Sequence, residues 1–170
     1  MWRRAGAVLF VALVAIFLLG TAASWTQDQS PSGLAPEEQR FCDLVNQERA
    51  KRGLSTLKVE PNLVSVARSH SREMAALDYF SHYSPTAGQR TPMDRYKAAT
   101  RGQRLVSYLC VGENLYYGSL PEVDHGHDLL MASPKHKENI LRSEYQYIGV
   151  GVYLSPDGQL WATQMFMCRR

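Results

Sequence analysis

Residues 148–167 carry the sequence IGVGVYLSPDGQLWATQMFM, which predicts two strands joined by a tight turn. Branched apolar residues alternate along Ile148–Leu154, as they do in a strand whose two faces meet different surroundings. Pro156-Asp157-Gly158 is typical of a turn, and Leu160–Met167 runs back as a second strand. The chain therefore closes with an antiparallel β-hairpin.

The segments before this hairpin are mostly helical. A first helix is predicted from Pro36, with Gly53 as its stop signal, and a second after Glu60-Pro61, with the connector Leu54–Val59 between them. Further elements are a strand over Leu105–Leu115 and three helices that start at Thr91-Pro92, after the capping-box sequence Ser119–Glu122, and at Ser133-Pro134. Helices and strands do not alternate regularly. The sequence thus predicts the α+β class, a small and mainly antiparallel sheet covered by helices.

Bulk properties fit one globular domain. The chain has 170 residues, of which 45% are hydrophobic and 21% charged, enough to bury one core. The formal net charge is only +3, and no block of Lys and Arg occurs. We therefore expect no nucleic-acid partner.

The N-terminus is typical of an export signal. Arg3 and Arg4 precede the uncharged run Ala5–Ala23, whose last residues are small enough for cleavage. A run of this length can also span a bilayer core of about 30 Å. Residues 1–24 are therefore a signal peptide or a signal-anchor, residues 25–36 a linker, and residues 37–168 the domain. Both alternatives place the domain outside the cytoplasm, either secreted or periplasmic, or anchored to the membrane by residues 5–24.

Three cysteines, Cys42, Cys110 and Cys168, leave the covalent structure open. An exported chain meets oxidising conditions, which allow one disulfide with one free thiol, and each of the three pairings is compatible with the sequence. Three buried free thiols are the alternative.

His82, Glu113 and His136 are the candidate site residues. His82 lies in a loop rich in aromatic residues, Glu113 in Gly112-Glu113-Asn114 near the end of a strand, and His136 in the first turn of a helix. Neutral imidazoles bind divalent metals, zinc above all, and a carboxylate can add a ligand or act as general base. The positive end of the helix should lower the pKa of His136 and keep it neutral. We therefore predict a cleft in which Glu113 lies close to both histidines and is the candidate catalytic residue. The alternative is that both histidines only hydrogen-bond to loops.

Other polar residues at helical positions are predicted to be structural. His70 lies on the apolar stripe of the second helix, which is typical of a core histidine. His125 and His127 are two positions apart on a helix, so their side chains diverge and cannot easily chelate one ion. Asn46 and Arg49 lie one helical step apart and should brace neighbouring loops by hydrogen bonds.

Several short motifs in a fixed order also match one known family. They are Val45-Asn46-Gln47-Glu48-Arg49, Phe80-Ser81-His82, Arg95, Gly112-Glu113-Asn114-Leu115, Met131-Ala132-Ser133-Pro134-Lys135-His136, Asn139-Ile140-Leu141, Ile148-Gly149-Val150-Gly151 and Trp161–Phe166. With these residues the chain resembles the CAP superfamily, also called SCP-like extracellular domains, in its compact bacterial form. The resemblance runs from about Phe41 to Phe166. The family includes cysteine-rich secretory, antigen 5 and pathogenesis-related proteins.

This resemblance implies an α–β–α sandwich with a large central cleft. In eukaryotic members the cleft holds two histidines and two glutamates. By position, the histidines correspond to His82 and His136, and one glutamate to Glu113. The place of the second glutamate is taken by Ser133, which becomes a cleft-lining candidate, and the tryptophan usual on the fourth helix is Leu130.

The resemblance also implies a set of candidate functions. Some members bind zinc or another divalent ion through the histidines, others bind sterols or fatty acids, and proteolysis has been suggested for a few. Our first hypothesis is an extracytoplasmic binding module for a lipid, a cell-wall fragment or a host molecule, with a divalent metal bound weakly by the histidines. The alternatives are a metal-dependent hydrolase or protease, in which Glu113 activates water, and a structural domain near the membrane. The missing second carboxylate favours the binding module, because catalytic zinc usually has three protein ligands.

Overall fold

The computed structural model describes residues 33–101 and 109–169, so the predicted signal or anchor lies outside the described residues. These ranges contain α1 (Pro36–Ala50), β1 (Lys58–Val59), α2 (Pro61–Ala76), α3 (Pro92–Ala99), β2 (Leu109–Gly118), α4 (Val123–Ala132), α5 (Pro134–Leu141), β3 (Tyr147–Leu154) and β4 (Leu160–Arg169). None of the helices in them is both long enough and apolar enough to cross a membrane.

The strands form one four-stranded sheet in the order β1-β3-β4-β2. The predicted hairpin is confirmed as β3 and β4, and β2 pairs with β4 in the antiparallel sense. Only β1 is parallel, to β3. The sequence reading missed β1, because a strand of two residues is too short to show any alternation. The sheet is thus mainly antiparallel, and the α+β class is confirmed.

Helices cover both faces of the sheet. Alternate residues of β4 point to opposite sides: Met165 packs with Leu63 of α2, and Phe166 packs with Phe41 of α1. Helices α4 and α5 share the α1 side, where Leu130 and Ile140, among others, join the same buried cluster. The result is the α–β–α sandwich that the family resemblance implied.

The helix starts differ in detail from the sequence reading. Thr91 caps α3 as predicted: its Oγ1 accepts from the backbone N of Asp94, and the Asp94 carboxylate accepts from the backbone N of Thr91. The predicted capping box at Ser119–Glu122 was wrong, since α4 begins at Val123 and its N-cap, Glu122, makes no side-chain cap bond. The reason is that β2 continues to Gly118, with Tyr116 and Tyr117 extending its ladder against β4.

One disulfide, Cys110–Cys168, resolves the three possible pairings. The two cysteines lie opposite each other on β2 and β4, with a Cα–Cα distance of 5.1 Å. Cys42 is free and buried in the core, and burial raises the pKa of its thiol to about 12. The Cys110–Cys168 disulfide therefore links the edge strand β2, which carries Glu113, to the central strand β4.

Candidate functional site

Strand β2 carries Glu113 into a buried position on the α2 side of the sheet. Its side chain is 1% exposed, and both of its oxygens have partners. Oε1 lies 2.8 Å from Nδ1 of His82, and Oε2 accepts from Nη2 of Arg95 at 2.5 Å. An ionised carboxylate only accepts hydrogen bonds, so Nδ1 of His82 carries a proton and donates a hydrogen bond to Oε1. The predicted proximity of His82 and Glu113 is present.

Arg95 of α3 holds these two residues in place. Its Nη1 donates to the carbonyl oxygens of His82 (3.1 Å), Arg90 (3.3 Å) and Gln89 (3.4 Å), while Nη2 binds Glu113. One buried guanidinium thus fixes both the loop that carries His82 and the carboxylate behind its ring. The sequence alone identifies Arg95 only as a motif residue. The sequence feature that could have pointed to Arg95 is Glu113, because a buried carboxylate requires a cation or several hydrogen-bond donors nearby.

His136 approaches the same edge of the sheet from α5, which packs on the α1 side. Its backbone carbonyl accepts from Nδ2 of Asn114, the neighbour of Glu113 that points to the other side of β2. Burial, and secondly the charge of His82, lower the pKa of His136. The direction agrees with the prediction, but burial and not the helix terminus leads the causes. His82 and His136 are therefore neighbours, whereas the Glu113 carboxylate hydrogen-bonds to His82 and, in the described part of the chain, not to His136.

An amide network fixes α5 against β2. Nδ2 of Asn139 donates to Oδ1 of Asn114 (2.9 Å) and to the carbonyl oxygen of Glu113 (3.1 Å), and Nδ2 of Asn114 also contacts Oε1 of Gln164 at 3.2 Å. Asn114 and Asn139 stood in the sequence only as parts of motifs, and nothing in their spacing linked them. Together they set where His136 lies relative to His82.

His82→Ala should raise the pKa of His136, because it removes the neighbouring positive charge. The pKa should stay below its ordinary value, since the burial that is its larger cause remains. An NMR titration of the His136 ring proton would measure the change. His125→Ala, at an exposed position on α4, is the control and should leave the titration unmoved. An unchanged His136 pKa in His82→Ala would mean that the two histidines do not form one site.

The residues present do not form a complete metal shell. Within residues 33–101 and 109–169, no three or more His, Cys, Asp or Glu side chains are arranged to hold an ion. Both Glu113 oxygens are already engaged, which leaves the two imidazoles. Ser133, the cleft-lining candidate, is the junction between α4 and α5, is half-buried and makes no side-chain cap bond. We call His82, Glu113 and His136 the histidine site.

His70 is a core histidine, as predicted. His70 is buried, and its Nε2 lies 3.0 Å from the carbonyl oxygen of Ser81, in the loop that leads to His82. His125 is exposed and His127 is buried, so the two side chains face different surroundings. Burial lowers the pKa of both His70 and His127.

The three layers, the strand order and the Gly-Glu-Asn edge strand define a small α–β–α domain with a histidine site at one edge of its sheet. The chain belongs to the cysteine-rich secretory protein (CAP) family, whose model matches residues 42–168.

Bacterial relatives share this domain. The chain is 36% identical over 143 residues to the uncharacterized protein YkwD of Bacillus subtilis, which covers 84% of this chain and 51% of YkwD. An extracellular protein with an SCP domain from Bacillus anthracis superposes with a TM-score of 0.67 at 28% identity, over 78% of this chain and 40% of that one. An outer surface protein of Borrelia burgdorferi has a TM-score of 0.66 at 20% identity, over 78% and 92%, which supports the fold alone. The chain thus spans about half the length of its curated relative YkwD.

Proposed function

We propose that this CAP domain acts outside the cytoplasm as a binding module, with the histidine site as its binding surface. The extracellular protein from Bacillus anthracis supports the location, as does the predicted export signal. The observation that carries the proposal is the state of Glu113, which is 1% exposed and has both oxygens engaged. The ligand classes are a small molecule, a lipid or a component of a cell surface.

The same observation disfavours a hydrolase or protease. A general base has to reach the proton that it removes, directly or through one water. Glu113 is sealed behind His82 and neutralised by Arg95, so it is poorly placed to activate water. Its role is to hold the His82 ring by accepting from Nδ1, which leaves Nε2 as the ring nitrogen for a ligand.

A divalent metal, zinc first, fits this site only as a weakly bound ion. Histidines that ligate metals usually donate their other ring N–H to a carboxylate or carbonyl, and His82 has this support from Glu113. His136 is kept neutral by its lowered pKa, which suits a ligand. Against this, two imidazoles are fewer than the three or four protein ligands of ordinary zinc sites.

Zinc calorimetry on the chain should therefore show micromolar or weaker binding that is lost in His82→Ala and in His136→Ala. Glu113→Gln should weaken it roughly tenfold, since the amide still supports the ring but the charge is gone. His125→Ala is the matched control and should bind as the wild type does. Nanomolar affinity that survives His136→Ala would contradict the assignment.

Binding and hydrolysis are separated by an assay with zinc-saturated protein. A mixture of peptide and ester substrates should show no turnover above that of His136→Ala. Turnover that disappears in Glu113→Gln would overturn the binding-module proposal and favour the hydrolase.

A further inference from the structure

A cavity lies between α2, α3 and the loop that precedes α3. Its volume is about 330 Å³, which is within the range of small-molecule sites. Val66, Ala98 and Ala99 give it an apolar wall. The histidine-site residues are not among those that line it. We call it the α2–α3 cavity.

The rim of the cavity carries polar side chains that make no hydrogen bonds with other described residues. Ser65 and Ser69, one turn apart on α2, and Gln89 of the loop line the cavity and are exposed. In the described part of the chain, none of these three side chains makes a hydrogen bond with another residue. Two hydroxyls and one amide are thus free to bind the polar groups of a ligand.

Arg95 also lines this cavity and has a donor without a partner. The residue is 3% exposed, and its two terminal nitrogens are bound as described above. Its Nε is buried and has no acceptor among the described residues. Buried donors are almost always paired in native proteins, so this N–H points to an acceptor brought by a bound molecule.

The charges around the cavity favour a neutral ligand. Burial alone would raise the pKa of Glu73, but the hydroxyls of Thr86, Tyr79 and Ser84 outweigh it and lower that pKa to about 2. Glu73 therefore stays ionised in the wall. The charge of Arg95 is already balanced by Glu113. An anion would be repelled by Glu73, whereas a carbonyl oxygen can still accept from Nε of Arg95.

We propose that the α2–α3 cavity binds the acetamido group of an N-acetylated amino sugar. The carbonyl oxygen accepts from Nε of Arg95, the methyl group packs against the apolar wall, and the ring hydroxyls meet the polar rim. Because Nε is buried, side chains must adjust on binding, and a ligand this small binds with roughly millimolar affinity. The cavity and the histidine site use different ligand-contacting residues, so either assignment can fail alone.

Saturation-transfer NMR on the full chain in lipid nanodiscs tests this inference. With N-acetylglucosamine, the acetyl methyl protons should receive the strongest saturation. Glucose, which lacks the acetamido group, and N-acetylalanine amide, which lacks the sugar ring, should give at least tenfold weaker signals. A glucose signal equal to that of N-acetylglucosamine would overturn the acetamido assignment, and an equal signal from the amide would overturn the sugar.

Two variants locate the binding. Ser69→Trp and Gln89→Trp fill the cavity from opposite sides of its rim, and each should reduce the N-acetylglucosamine signal at least tenfold. Ala76→Trp, an exposed position on α2 away from the cavity, should retain it. His136→Ala should lose zinc and keep the sugar signal. Full signal in both rim variants would place binding elsewhere and refute the proposal.

Discussion

Replacing Arg49 with alanine should lower the free energy of unfolding by about 3–5 kcal/mol, because several buried carbonyl groups lose their donor at once. Arg49 is 0% exposed. Its Nε donates to the carbonyl of Ser55 at 2.8 Å, and Nη1 to those of Ile140 and Arg142, both at 2.9 Å. Nη2 reaches the carbonyl of Tyr145 at 3.4 Å. One side chain of α1 thus joins the connector before β1, the end of α5 and the turn before β3.

Arg52→Ala is the matched control, since it removes another arginine from the segment that ends the same helix. Arg52 pairs with Glu48 near the surface, and its side chain is 39% exposed. Such pairs contribute less than about 1 kcal/mol. Urea unfolding followed by circular dichroism would compare the two variants. If Arg49→Ala loses no more stability than Arg52→Ala, the carbonyl cluster is not a structural centre.

The sequence predicted those parts of the fold that repeat over many residues. Helix α2 showed an apolar stripe through Leu63 and Met74, and both are fully buried. The sequence also predicted that Asn46 braces a neighbouring loop. In the structure its side chain exchanges hydrogen bonds of 2.7 and 3.1 Å with the backbone of Leu57. Features without a period could not be read in this way. The two-residue strand β1 is one such feature. The Cys110–Cys168 disulfide is another, because only the pairing of β2 with β4 brings those cysteines together.

The sequence named the candidate site residues, but it did not determine which of them touch. The sequence named His82 and Glu113 and implied that both histidines face one carboxylate. In the structure the Glu113 carboxylate shares its side of β2 with Met165 and α2, whereas α5, which carries His136, packs on the α1 side. A strand turns alternate side chains to opposite faces, so the register of β2 decides which side a residue joins. That register, and the pairing with Arg95 across 18 positions, depend on tertiary packing.

The two glycines of β3 show how sequence alternation sets the spacing between layers. Ile148 and Val150 point toward α1, and Gly149 and Gly151 point toward α2. A Cβ atom on Gly151 would lie 2.0 Å from the backbone N of Arg68, and one on Gly149 would lie 2.3 Å from the backbone C of Leu63. The backbone of α2 therefore rests directly on β3. Ser71 reinforces this contact by donating to the carbonyl of Gly151 at 2.8 Å.

Gly151→Ala should consequently lower the free energy of unfolding by about 3 kcal/mol or more, at the upper end of the cost of overpacking. The clashing atoms belong to a helix backbone, so relief requires α2 to move away from the sheet and its other contacts to loosen. Gly118→Ala is the matched control: its Cβ would meet the hydroxyl end of the Tyr116 side chain at 2.5 Å, and a side chain can shift more easily than a helix. Thermal and urea unfolding of both variants would measure the difference. Equal losses in the two variants would mean that α2 can recede at little cost, contrary to the close packing of these layers.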